Sequence, residues 1–354
     1  MKSPKRTKLV VLLLFVIVGA VGLSFPFRAY VLAPYQMRQE QLRLPVMPAS
    51  LSLADLGIPP GISTLNCPDL APTLGEKELE EALGSLRTKL HEFPGDLCAG
   101  NQFREAVRYQ QLRSGDFAIQ VNSLPTALAS IARDTNSIPT SPANSSKVSA
   151  DELEPAKSFK VLIEAKSTNT PETQLQLGLS YVDLMIRQGG REHKARLSSR
   201  SIEALSSALQ HRPYMLAALY ARGLNYLYWP IIAGKLPLAI QDLKTCIALS
   251  YLPPIKEHPP LVIAAAYTAL GDAYAKLADS ALSQSQQSDL LKISRSWWEQ
   301  GLQRFPKYIA LEQRLTIAPD RLTTYIDSRR GLETYIDTDL DQLWDRQGPQ
   351  ERNQ

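Results

Sequence analysis

The residues of this 354-residue chain that could do chemistry are few and scattered. Its four histidines, His91, His193, His211 and His258, show no HExxH spacing, and there is no GxSxG elbow, Walker loop or dinucleotide-binding glycine fingerprint. A nucleophile with its base cannot be assembled from sequence neighbours, so the chain reads as a non-enzyme that needs no cofactor. The alternative is an exported enzyme or enzyme-associated subunit whose groups meet only in space, between the N-terminal segment and the C-terminal half. The three cysteines form no CxxC, which removes zinc ribbons, thioredoxin-type exchange and covalent haem attachment. Cys67 and Cys98 are expected to pair, closing a loop of about 30 residues that would contribute roughly 3 to 4 kcal/mol. Cys246 reads as a small core residue. Near the C-terminus Thr324-Tyr325-Ile326-Asp327 is echoed by Thr334-Tyr335-Ile336-Asp337, followed by Asp339, Asp341 and Asp345. Alternate aspartates can seat calcium, but Gln342 stands where an EF-hand loop needs glycine and Gly348 where it needs glutamate, so no metal site is expected.

Composition narrows the classes further. Hydrophobic residues make up 44% and charged residues 21%, which is ordinary for a globular chain, and the length allows two domains. With 39 Lys and Arg against 35 Asp and Glu, a net charge of +4 gives no basis for nucleic-acid binding. Arg187, Arg191, Lys194, Arg196 and Arg200, opposed by Glu192, form a basic stretch around Gly189 and Gly190. It reads as a solvated loop that could also meet anionic lipid or an acidic partner. Tyr226, Tyr228 and Trp229, and later Trp297 and Trp298, read as core aromatics rather than a ligand shelf.

Position along the chain then sets the organisation. Lys2, Lys5, Arg6 and Lys8, in a tail of residues 1–8 expected in the cytoplasm, precede 19 uncharged residues, 9–27. As a helix that stretch reaches about 28 Å, close to a bilayer's hydrocarbon core of roughly 30 Å. It is expected to be a transmembrane anchor, with Phe25, Phe27 and Tyr30 at the far interface and the bulk of the chain on the extracytoplasmic side, in periplasm or lumen. Val18, Gly19 and Ala20 leave a cleaved signal peptide and a soluble exported protein as the alternative. Residues 28–133 mix proline-rich and helical stretches. Seven prolines run from Pro34 to Pro72, implying extended, irregular chain. Thr73 and Glu76 have capping-box spacing ahead of Leu79, Leu83, Leu86 and Leu90, and Pro94 with Gly95 end that helix. A second helix is expected from about Asn101 to Leu112. Residues 134–155, rich in Ser, Thr, Asn and Pro, read as a linker.

The second half carries an internal repeat. Leu177-Gly178-x-x-Tyr181, Gly223-x-x-Tyr226 and Leu270-Gly271-x-x-Tyr274 place their glycines 45 and 48 residues apart. Each is followed by an amphipathic run that ends near a proline: Ile202 to Leu209 before Pro213, Ala239 to Leu249 before Pro253, and Trp297 to Phe305 before Pro306. Glycine inside a helix costs about 1 kcal/mol against alanine, so a recurrent one implies a close helix approach that offsets the loss. A tyrosine three residues on shares that face.

These motifs resemble the tetratricopeptide repeat, a helical-hairpin family, over about Pro171 to Pro306. The resemblance implies an all-α, TPR-like hairpin solenoid across residues 156–312, preceded by the membrane helix and the proline-rich segment and followed by a C-terminal tail, 313–354. Gly178, Tyr181, Gly223, Tyr226, Gly271 and Tyr274 would be its packing residues. The units exceed the family's 34 residues, which implies loop insertions around Gly189–Ser199, Ile231–Pro237 and Asp279–Ser288, and Arg222 replaces an expected leucine. A weaker hairpin using Leu162 and Ala165 would precede them. Groove positions map to Leu175, Leu179, Val182, Tyr220, Leu224, Leu227, Thr268, Asp272 and Ala275. Without the Asn, Lys and Arg of a carboxylate clamp, that groove implies a protein or peptide partner with apolar anchors. The same residues could instead pack against the N-terminal segment or the C-terminal tail. The expectation is a membrane-tethered protein-interaction scaffold, working in assembly or transport of a complex.

Overall fold

The computed structural model describes residues 41–58, 74–113, 160, 169–187, 191–329 and 339–340. Among them the fold is all-α, with no strand. The helices are α1 (Glu76–Glu92), α2 (Leu97–Arg113), α3 (Pro171–Arg187), α4 (Arg191–His211), α5 (Leu216–Leu227), α6 (Leu236–Leu249), α7 (Leu261–Asp279), α8 (Gln284–Arg304), α9 (Ile309–Thr316) and α10 (Pro319–Arg329). The stretch 9–27 and the linker 134–155 lie outside the described residues, as do Leu162 and Ala165. One described helix, α7, is long and apolar enough to cross a membrane, and it is mostly buried inside the protein.

The first hairpin shows how local chemistry sets helix ends. Leu79, Leu83 and Leu90 of α1 face the core with Phe103, Ala106 and Val107 of α2. α1 is capped one residue before it begins: the Glu78 carboxylate accepts the Gly75 N–H at 2.7 Å, so the reciprocal bond falls two residues later than Thr73 and Glu76 implied. α2 begins at Leu97, four residues earlier than expected, because the Asp96 carboxylate accepts the Ala99 N–H at 2.9 Å and pairs with Lys89 at 2.9 Å. Partial burial opposes charge on Asp96, but these bonds outweigh it and hold the carboxyl below its ordinary pKa. Its contribution is therefore present above pH 4 and lost as pH falls through the lowered value. Asp96→Ala is expected to cost about 1 kcal/mol at neutral pH. In urea titrations at pH 7 and pH 3, the difference between variant and parent should shrink at the acid end. Cys98, in the same turn, is disulfide-bonded; Cys67 lies outside the described residues, and Cys246 is free and buried.

Three further hairpins follow: α3 with α4, α5 with α6, and α7 with α8. They pack in chain order, α4 on α5 and α6 on α7, and α5 also touches α3 and α7. At each repeat glycine the partner helix comes close. A Cβ on Gly178 would meet Leu205, one on Gly223 would meet Leu243 and Asp242, and one on Gly271 would enter the Trp298 indole. The α3–α4 and α7–α8 hairpins share a register, since Ser201 donates to the Gly178 carbonyl at 2.7 Å and Ser294 to the Gly271 carbonyl at 2.8 Å, each from 23 residues downstream. Cys246 stands at the same offset from Gly223.

The extra length of the first and third units comes largely from helix, whereas the second keeps the connection 228–235 between two shorter helices, largely where the Ile231–Pro237 insertion was expected. α4 and α8 run 21 residues each, and most of Gly189–Ser199 is the start of α4. The basic residues Arg191, Lys194, Arg196 and Arg200 accordingly ride on a helix rather than a loop. Trp297 and Trp298 are fully buried core residues. Arg222, the departure from leucine, reaches across its hairpin to Asp242 with two 2.8 Å bonds and also donates to Ser206.

The N-terminal segment 41–58 lies along the array without regular structure beyond residue 42. Tyr274 donates to the Gln41 carbonyl at 3.2 Å, and at the other end Leu216 N–H donates to the Leu56 carbonyl at 3.0 Å. Gly57, with φ of 72°, makes the turn there against Met215, a conformation that side-chain-bearing residues rarely adopt.

Candidate functional site

The eight principal groove positions lie on α3, α5 and α7, and all are buried: Leu175, Leu179, Val182, Tyr220, Leu224, Leu227, Thr268 and Asp272. Ala275 is buried with them. None is open to solvent in the folded chain. Two segments supply the cover: the N-terminal stretch 41–58, whose Leu44, Met47, Leu51, Leu53 and Leu56 pack on the same core, and the region expected as a tail, which folds back on α7 and α8. Arg314 of α9, itself fully buried, grips Asp272 through Nε at 2.7 Å and Nη2 at 2.8 Å. One turn on, Lys276 donates to the Leu227 carbonyl and to Asp327 of α10, each at 3.2 Å. Leu322 and Ile326 of α10 and the more distant Leu340 join the same apolar cluster as Leu175, Leu179, Tyr220, Leu224 and Leu227.

Where that segment reaches the first hairpin, it meets a polar cluster. Arg104 is fully buried and donates to Gln176 at 2.8 Å, Asp183 at 3.0 Å and Asn101 at 2.9 Å. Arg108 adds 2.8 and 2.9 Å bonds to Asp183. Asn101 then holds the C-terminal segment, donating to Asp339 and accepting the Leu340 N–H, both at 2.9 Å. Burial pushes the Arg104 guanidinium down to about 10, against the pull of Asp183, so it stays charged at neutral pH.

Geometrically these groups form buried ion pairs that hold and orient one another. Asp183, Asp242 and Asp272 each face an arginine. Burial raises the Cys246 thiol well above its ordinary range, which leaves it a poor nucleophile. Among the described residues no three His, Cys, Asp or Glu side chains converge to hold a metal. His91, His211 and His258 are exposed.

The alternative reading of these positions, that they pack against the N-terminal segment or the C-terminal tail, is the one the burial supports. Asn101, Arg104 and Arg108 share one face of α2, and Gln176 and Asp183 share one face of α3, so the i, i+3, i+7 spacing of polar residues in apolar helices was the available signal. Their convergence across 72 to 238 residues of chain was not available from one sequence.

The fold and site define a protein of consecutively packed helical hairpins with its own C-terminal helices packed on α7 and α8. No family model, curated protein or solved structure matches the chain.

Proposed function

We propose that this chain is a membrane-tethered interaction scaffold: a tetratricopeptide-like solenoid, anchored by residues 9–27 with its bulk outside the cytoplasm, that takes a helical segment of a partner protein on its concave face. It needs no cofactor and catalyses nothing. The observation that carries the reading is α10. A helix of 11 residues rests there on α7 with Leu322 and Ile326 buried to 1% or less and Asp327 paired with Lys276. Apolar anchors one turn apart beside a charged latch are the way an amphipathic helix occupies a groove, and this one belongs to the chain itself. A partner helix of similar pattern would compete with it.

The test supplies α10 in trans. A labelled peptide of residues 319–329 is titrated into full-length chain carrying Leu322→Asp and Ile326→Asp, with helix content checked by circular dichroism. Saturable binding is expected, at least tenfold weaker for a peptide bearing the same two aspartates. Binding to the parent chain should be weaker still, because its resident helix competes at an effective concentration on the order of millimolar. Equal binding of both peptides, or none, removes the groove.

A further inference from the structure

The three hairpin tips line up along one edge. Ser198, at the start of α4, donates to Asn225 near the end of α5 and accepts the Trp229 indole N–H at 2.8 Å, which joins the first tip to the second. Lys276, near the end of α7, donates to the Leu227 carbonyl, which joins the second to the third. At the second tip Pro230 leads into a one-turn 3-10 helix, Ile231–Ala233, closed by Gly234 with φ of 64°. This turn raises Ile232 to 96% exposure, with Ile231 and Leu238 partly exposed beside it. Leu282 at the third tip is 67% exposed. Lys235 lies over the Tyr226 and Trp229 rings at the base of the second tip.

The first described residue lies at this same edge. Gln41 is bonded to Tyr274, five residues from the end of α7. Thirteen residues, 28–40, separate Gln41 from the apolar stretch 9–27. Even fully extended they reach no more than about 45 Å, so a chain anchored by 9–27 keeps this edge close to the bilayer.

From these placements we infer that the hairpin-tip edge docks on the lipid surface, with Ile232 and Leu282 entering the interfacial region. The inference rests on the anchor reading. Exposed isoleucine and leucine on tight turns are apolar anchors of the kind interfacial binding uses. Glu192 and Asp279 share the edge with Lys194, Arg196 and Lys235, so apolar insertion rather than net charge carries the contact.

Depth-resolved quenching tests it. Full-length chain with Ile232→Cys is labelled with a nitrobenzoxadiazole dye and reconstituted into phosphatidylcholine vesicles with 20–30% phosphatidylglycerol, with and without doxyl-labelled lipid. Buried Cys246 and disulfide-bonded Cys98 do not compete for the dye. A Lys256→Cys label, on an exposed loop between hairpins at the opposite edge, is the control. The dye at 232 is expected to lose at least half its emission to shallow doxyl groups, and the dye at 256 less than a tenth. Vesicles that float with the protein while both dyes stay unquenched overturn docking and leave the anchor standing. Protein that does not float overturns the anchor and docking together. A spectral shift at 232 that follows protein density and not doxyl depth assigns the tip to a second copy and overturns docking.

Discussion

Arg314→Ala is expected to lower the stability of the folded chain by about 3 to 5 kcal/mol, the largest single-residue effect foreseen. The side chain is fully buried, and its two short bonds end on an Asp272 carboxylate that is itself buried. Removing the cation takes its two charged hydrogen bonds from a carboxylate shielded from water, and that loss of compensation for buried charge, more than the net worth of the pair, sets the magnitude. At roughly 2 to 4 °C per kcal/mol for a domain of this size, the melting temperature should fall by about 10 °C. The double variant Arg314→Met with Asp272→Leu separates the causes. Buried pairs replaced by apolar groups are often neutral, so it should recover most of the loss in differential scanning calorimetry. If the double variant is no better than Arg314→Ala, the penalty comes from packing at α9 and not from the buried charge.

Gly271→Ala should come next, and it should stand apart from the same change at the other repeat glycines. The added methyl would enter the indole of Trp298, which is fully buried and donates to the Thr268 carbonyl at 3.0 Å. The ring must move, which costs about 1 to 3 kcal/mol of overpacking and puts a buried N–H at risk of losing its partner, worth a similar amount. The better helix propensity of alanine returns only about 1 kcal/mol. At Gly178 the methyl would come within 2.6 Å of Leu205 Cγ, a smaller group than an indole. At Gly223 the nearest atom lies at 3.1 Å, so a slight shift suffices and the propensity gain offsets it. Urea midpoints should therefore fall in the order Gly271→Ala, then Gly178→Ala, then Gly223→Ala near the parent. Trp298→Leu added to Gly271→Ala should recover part of the loss. An equal effect at all three positions would mean that the glycines act through helix propensity alone.

These expectations also mark what the sequence made legible. The glycine and tyrosine spacing located α3, α5 and α7, because a helix that tolerates glycine does so for a neighbour, and here the neighbours are Leu205, Leu243 and Trp298. The ends of helices were less legible. Asp96 starts α2 early through one carboxylate, and in the first and third units long helices took the place of expected loops. The groove was placed on residues whose pattern is that of an apolar face. Periodicity says that such a face is covered and is silent on what covers it. Arg314 sits 42 residues from Asp272 and Asp339 sits 238 from Asn101, distances at which one sequence holds no pairing signal. The charges themselves were visible, with Asp272 and Lys276 interrupting the most apolar of the described helices.

That interruption has a second consequence, which precedes folding. On any route that threads an unfolded chain through a translocation channel, residues 261–279 present a stretch long enough to slip sideways into lipid. Asp272 and Lys276 oppose that escape: a charge near the middle of such a stretch, as Asp272 is, adds about 2.5 to 3.5 kcal/mol to lateral insertion, and Lys276 in the last turn adds a smaller amount. The two side chains that later clasp α9 and α10 would thus first keep the nascent polypeptide moving onward.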